Sequence, residues 1–149
     1  MELVIFIGIQ ATGKSSFYRD RFFRTHIRVN LDMLKTRHRE QIIFQACLEG
    51  KQSLVIDNTN PTIQDRDRYI SIAKEHNFRI IGYYFESKIS DCLSRNSDRQ
   101  GNDRVPDVAL YDTHKKLELP SLAEGFDELY YVKITPNRSF IIQPWQDEI

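Results

Sequence analysis

The apolar run LVIFI, residues 3–7, ends directly in GIQATGKSS, residues 8–16, and that junction limits the fold more than any other stretch of the chain. Unbroken apolar residues with no polar alternation describe a strand covered on both faces, because a strand with one wet face alternates. Gly8 bounds the strand, and a helix is expected to begin near Lys14 and run through SSFYRDRFF. A buried strand that turns at once into a helix is how a parallel sheet with crossover helices begins.

The rest of the chain keeps that rhythm. HIRVN reads as a second strand, LDMLKTRHREQIIFQACLEGK as one helix ending near Gly50, and SLVID as a third strand. In NTNPTIQDRDRYISIAKEHN, Thr59 or Asn60 is a candidate cap, and Pro61 suits a first helical turn, where its missing N–H costs nothing. FRIIGYYFE is a fourth strand whose Tyr83, Tyr84 and Phe85 are assigned to the core. KISDCLSRNSDR reads as helical up to Gly101, a further helix starts at Pro106, and DELYYVKI makes a fifth strand. SFIIQPWQ, within the segment 137–149, is either an edge strand or a packed tail. This order predicts a single α/β domain over residues 1–149 with three layers, a mainly parallel five-stranded sheet and helices on both faces. Sites in such sheets lie outside the carboxyl ends of the strands, which puts the Gly8 loop at a binding rim.

Charge narrows the partners. The chain carries 21 basic and 21 acidic residues, so it has no global basic field for non-specific nucleic-acid binding, and any polynucleotide contact must be local. Cys47 and Cys92 lie far apart, the four histidines are scattered, and neither spacing suits a structural zinc. The N-terminal apolar run is too short for a secretory segment or a membrane span, so a cytoplasmic setting without membrane contact is expected.

The pattern Gly8-x-x-x-x-Gly13-Lys14-Ser15 between a strand and a helix is a phosphate-binding loop. Its glycines let several backbone N–H groups aim into one hollow, the helix start adds positive charge, and Lys14 supplies a full charge to terminal phosphates. Gly8, Ile9, Gln10, Ala11, Thr12, Gly13, Lys14, Ser15 and Ser16 are therefore the candidate ATP site, with the Ser15 hydroxyl a ligand for magnesium. A GTP-type Asn-Lys-x-Asp is missing, and SLVIDN ends in Asp57 alone rather than an acidic pair, which favours phosphoryl transfer to a second substrate. Asp32, just after the second strand, is either a base for the attacking hydroxyl or an acid placed for its helix dipole, with Asn30 as a cap. Asp57 reads as a second magnesium-site residue in preference to the start of an Asx-turn. Arg95 and Arg99, four apart on one helical face, with Arg104 beyond, form either a short helical lid over residues 95–106 or a solvated face. KTRHR, residues 35–39, is similarly a local basic groove or a solvated helix face.

Taken together, GIQATGKSS, VNLDML, VIDNTNP with RYISIAKEHNF, RNSDR, VPDVALYD and ELPSLAEGFDEL resemble the kinase domain of the polynucleotide 5′-kinases. The resemblance implies a P-loop kinase fold, ATP and magnesium as cofactors, and a 5′-hydroxyl end of DNA or RNA as acceptor. On the matching positions it implies Asp32 as general base, Lys14 and Ser15 at the phosphates, and Arg95 and Arg99 in the lid. Catalysis then rests on Asp32, Lys14 and Arg99, with Lys35, Asn58 and Asn60 on the acceptor side. Two positions depart from the family: Leu31 stands where arginine is frequent, and Lys35 stands where the phage enzyme has an arginine on the acceptor phosphate. Lysine keeps the charge and loses the bidentate fork. Family members commonly carry a phosphatase or ligase module, so a separate partner for that work is an expectation. A small-molecule hydroxyl kinase and a non-catalytic ATP-binding module of a repair assembly are the rival readings.

Overall fold

Along β1 (Glu2–Ile7), Leu3, Ile5 and Ile7 enter one core and Val4 and Phe6 another in the computed structural model, which describes residues 1–146. All five are fully buried, which is why the run carries no polar residue. β1 lies at the centre of a six-stranded sheet with β2 (Ile27–Val29), β3 (Leu54–Ile56), β4 (Arg79–Phe85), β5 (Glu128–Ile134) and β6 (Phe140–Pro144). The order is β2-β3-β1-β4-β5-β6, with the first five strands parallel and β6 antiparallel to β5.

Helices cover both faces. Phe17 and Tyr18 of α1 (Lys14–Arg21) pack with Phe6, Phe22 and Phe85 on one side. On the other, α3 (Arg37–Glu49) and α4 (Ile63–Glu75) bring Phe44, Leu48, Tyr69 and Ile70 onto Leu3, Ile5 and Ile56. Each such large apolar side chain contributes roughly 1.5–3 kcal/mol by leaving water. β1 hands the chain to α1 on one face and β3 hands it to α4 on the other, so their adjacent carboxyl ends open a crevice between the two connections. This is the three-layer α/β fold that the sequence predicts, with one strand more. Among the described residues, no helix is long and apolar enough to cross a membrane.

SFIIQPWQ resolves as the antiparallel edge strand β6 and its exit, and residues 147–149 lie outside the described residues. Phe140 and Ile142 pack on the α1 core, while Trp145 rests on Tyr131 and gives its backbone N–H to the Leu129 carbonyl. Tyr84 and Phe85 are buried and Tyr83 stacks on Tyr130, all three within the core as expected.

Two local expectations are corrected. The single helix expected over residues 31–51 is two, α2 (Leu31–Leu34) and α3, because Lys35 takes a left-handed φ of 76° and the Thr36 hydroxyl restarts the helix by accepting from the Arg39 N–H. The cap of α4 is Thr62, not Thr59 or Asn60. Thr62 and Asp65 bond each other's backbone in a reciprocal capping box, so Pro61 falls just before the helix.

Candidate functional site

The loop from Gly8 to Gly13 joins β1 to α1 at the open crevice. Gly13 sits at the cap position with φ 91°, and a Cβ there would lie 2.8 Å from the Ile134 side chain, so any other residue would be strained and crowded. A glycine cap has no side chain to give, and α1 has no side-chain cap bond, so its first-turn N–H groups remain for an anion. The floor of the loop is tied down from three directions. Gly8 gives its N–H to the Thr59 carbonyl, Ile9 gives its N–H to the Ser87 hydroxyl, and the Thr12 hydroxyl donates to the Ile9 carbonyl. The Ile9 and Ala11 side chains pack with Cys92 and Leu110, so these residues anchor the cradle.

Lys14 folds across this loop, its Nζ donating to the Gly8 and Ile9 carbonyls at 2.9 and 2.7 Å and to the Thr12 hydroxyl at 3.2 Å. Desolvation pulls its ammonium down to about 8, with nearby Arg99 acting in the same direction; Asp57, Cys92 and Asp32 oppose it. Asp57, Asp32 and Arg99 thus all lie within electrostatic reach of one lysine.

The Ser15 hydroxyl stands 3.4 Å from Oδ2 of the Asp57 carboxylate, a group only 2% exposed. The Asp57 carboxylate accepts from Ser15 and from Arg28 of β2, instead of closing an Asx-turn on its own backbone. Arg28 donates from Nε to Asp57 at 2.8 Å and from its second terminal nitrogen to the Ser15 hydroxyl at 2.9 Å. An all-oxygen pair of hydroxyl and carboxylate suits magnesium, which keeps few protein ligands and takes the rest from phosphate and water. The Arg28 guanidinium bridges the two oxygens. Nothing in HIRVN marked Arg28 in the sequence.

Asp32 occupies the first turn of α2 and is exposed. Asn30 caps that helix, its side-chain oxygen accepting from the Met33 N–H while its amide donates to the Asp57 carbonyl. Half-buried Asn58 supports the same helix, since its oxygen takes the Leu31 N–H and its amide donates to Glu40 at 2.9 Å. Glu40, only 3% exposed in α3, also accepts from Tyr69 and Arg37, and burial against this carboxylate pushes the Tyr69 phenol up to about 12. Asn60 is buried, and its amide donates to the Phe6 carbonyl. Lys35 is exposed at the bend between α2 and α3.

The segment expected as a lid, residues 95–106, runs from the end of α5 (Ile89–Ser97) through a 3-10 turn at Gly101–Asp103 to the start of α6 (Asp107–Lys116). Arg95 grips the loop itself, Nε to the Ala11 carbonyl at 2.6 Å, whereas Arg99 donates to the Asp103 carbonyl inside the lid and Arg104 is exposed. Fully buried Asn96 closes the base of the lid by exchanging bonds with both backbone groups of Val105 and donating to Asp107. The only hint of it in the sequence was a poor helix former between two arginines. On the far side Gln10 donates to Thr113 of α6, and its Oε1 is the one buried side-chain polar atom without a partner among the described residues, beside the cradle.

The fold defines a P-loop kinase-type α/β domain, with the loop from Gly8 to Gly13, the Ser15–Asp57 pair and the Asp32 helix at one sheet rim. The chain belongs to the AAA-domain family, whose model matches residues 35–120. It is 30% identical over 131 residues to the bifunctional polynucleotide phosphatase/kinase of Schizosaccharomyces pombe, covering 84% of this chain and 32% of that protein. A protein of Acanthamoeba polyphaga mimivirus that bears a provisional form of the same name is 28% identical, covering 96% of this chain and 36% of that one. The chain thus spans about a third of the length of these curated relatives. Among solved structures, Chaetomium thermophilum Kti12 in complex with ADP-AlF3 shares the fold, with TM-score 0.66 and 10% identity over 91% of this chain and 92% of that chain.

Proposed function

We propose that this chain is a magnesium-dependent kinase domain that moves the γ-phosphate of ATP to the 5′-hydroxyl end of a polynucleotide. The observation that carries the reading is the joint at the end of β3. Asp57 and Asn58 are neighbours in the chain, yet one is bonded to Ser15 of the phosphate loop and the other to the backbone of the Asp32 helix. Donor cradle and base are thereby held by one backbone joint.

On this reading Asp32 takes the proton of the incoming hydroxyl, whose oxygen forms the new bond to the γ-phosphorus as the bond to the ADP oxygen breaks. Lys14 and Arg99 stabilise the charge on the transferring group. Ser15 and Asp57 would hold the magnesium, which when bound neutralises phosphate charge. Lys35 supplies a positive charge on the acceptor side, and the printed names of the two curated relatives support a polynucleotide there. A phosphatase or ligase supplied by a separate partner, and a cytoplasmic setting in keeping with two buried free cysteines, belong to the same proposal.

An acceptor panel tests it. With labelled ATP and magnesium, label should pass to a 5′-hydroxyl oligonucleotide of DNA or RNA and not to the same oligonucleotide already phosphorylated. Transfer to a sugar or nucleoside with none to either oligonucleotide would establish the small-molecule reading, and ATP binding with no phosphorylated product would leave only a nucleotide-binding module.

A further inference from the structure

Asp57 is nearly fully buried, and a buried carboxylate without a partner is strongly unfavourable. It also stands where a polyphosphate carrying several negative charges is to be seated. The chain resolves both problems with Arg28. One nitrogen of its guanidinium bonds the carboxylate, another bonds the Ser15 hydroxyl, and the group lies 5.9 Å from the centre of the Tyr18 ring. Tyr18 is itself fixed by its hydroxyl donating to the His26 carbonyl at 2.6 Å.

A salt bridge built only for stability would need Asp57 alone. Here the second bond goes to Ser15, in the first turn of the phosphate-loop helix, so the arginine holds both oxygens that a divalent cation would use. A guanidinium and a dication cannot share that pair without close like-charge contact in a half-desolvated pocket. The arginine also has somewhere to go. It stands on β2, the outer strand of the sheet, and its side chain retains 27% of its exposure.

We propose that Arg28 is a displaceable counter-cation of the magnesium site: it neutralises Asp57 until a magnesium–nucleotide arrives and must leave Ser15 and Asp57 for the metal to seat. The proposal rests on the reading of the loop as a magnesium–nucleotide site and is independent of which acceptor is used. It gives Arg28 two opposed effects. Competition with the metal raises the magnesium concentration needed for loading. Masking of Asp57 lets a metal-free nucleotide approach a carboxylate that would otherwise repel its phosphates.

Calorimetric titration with a non-hydrolysable ATP analogue, in magnesium and in chelator, separates the two effects for wild type, Arg28→Met and Arg28→Lys. In Arg28→Met, affinity in magnesium should rise by about tenfold, the scale of one close charge, while affinity in chelator falls by a similar factor. Arg28→Lys, which keeps the charge and loses the fork, should fall between the two and covers the case in which Arg28→Met does not fold. Affinities that move in the same direction, or not at all, in variants that still unfold cooperatively above the titration temperature would overturn the proposal while leaving the nucleotide site intact. A wild type that binds the analogue in neither condition would overturn both.

Discussion

Lys14 is asked to carry a positive charge in a place that disfavours one. Its ordinary value of 10.5 is pulled to about 8 chiefly because the loop removes it from water. Two measurements should therefore move in opposite directions with pH. The folded value lies below the unfolded one, so burying the charged lysine is a stability cost that is full below pH 8 and relieved as pH rises toward 10.5. Over that interval the nucleotide-free protein should gain stability from this group, read as a chemical-denaturation midpoint compared with Lys14→Met. Affinity for ATP should instead decline as pH passes about 8, because the neutral amine no longer meets the phosphates. An ATP affinity flat across that range would mean that another group carries the charge.

The helices show what a single chain of letters does and does not disclose. β1 and its loop were legible because continuous burial and obligatory glycines leave direct marks in composition. The Asp32 segment was legible as chemistry and not as shape. LDMLKTRHRE keeps helical composition throughout, while the break at Lys35 comes from one backbone turn and from Thr36 choosing a cap over a helix interior. The supports were hidden for a different reason. Asn58, Glu40, Asn60, Asn96 and Arg28 act on partners between 9 and 54 positions away, and no local period records such a pairing. Fully buried Arg66 of α4 belongs with them, since it pairs with Glu124 and donates to the carbonyls of Asn60 and Pro61, holding the segment whose Thr59 carbonyl anchors Gly8. Glu124→Gln should therefore destabilise by about 3–5 kcal/mol, the scale for an orphaned buried charge. That amounts to a fall of roughly 10 °C in Tm by calorimetry. For the lid, Asn96→Ala should cost about 1–3 kcal/mol for the Val105 bonds left open, read by the same melt.

At the scale of the whole molecule, the crevice between β1 and β3 gathers, on the proposed function, a cradle for one substrate and a carboxylate for the other. The sheet order does this in a chain with no net charge. On the proposed function, the neutral balance of 21 basic and 21 acidic residues would leave recognition of a polynucleotide to Lys35 and the few cations around α2 and α3. Transfer to an oligonucleotide should accordingly weaken with salt more gently than in proteins that engage many phosphates. A slope of transfer rate against salt as steep as for an extended basic groove would place the acceptor on a different surface. The base itself is open to a direct trial. In single-turnover transfer of labelled γ-phosphate to a 5′-hydroxyl oligonucleotide, Asp32→Asn should lower the rate by about 10²–10⁴-fold while ATP affinity, measured on the same preparation, stays within about twofold. A variant that transfers phosphate at close to the wild-type rate would contradict the account.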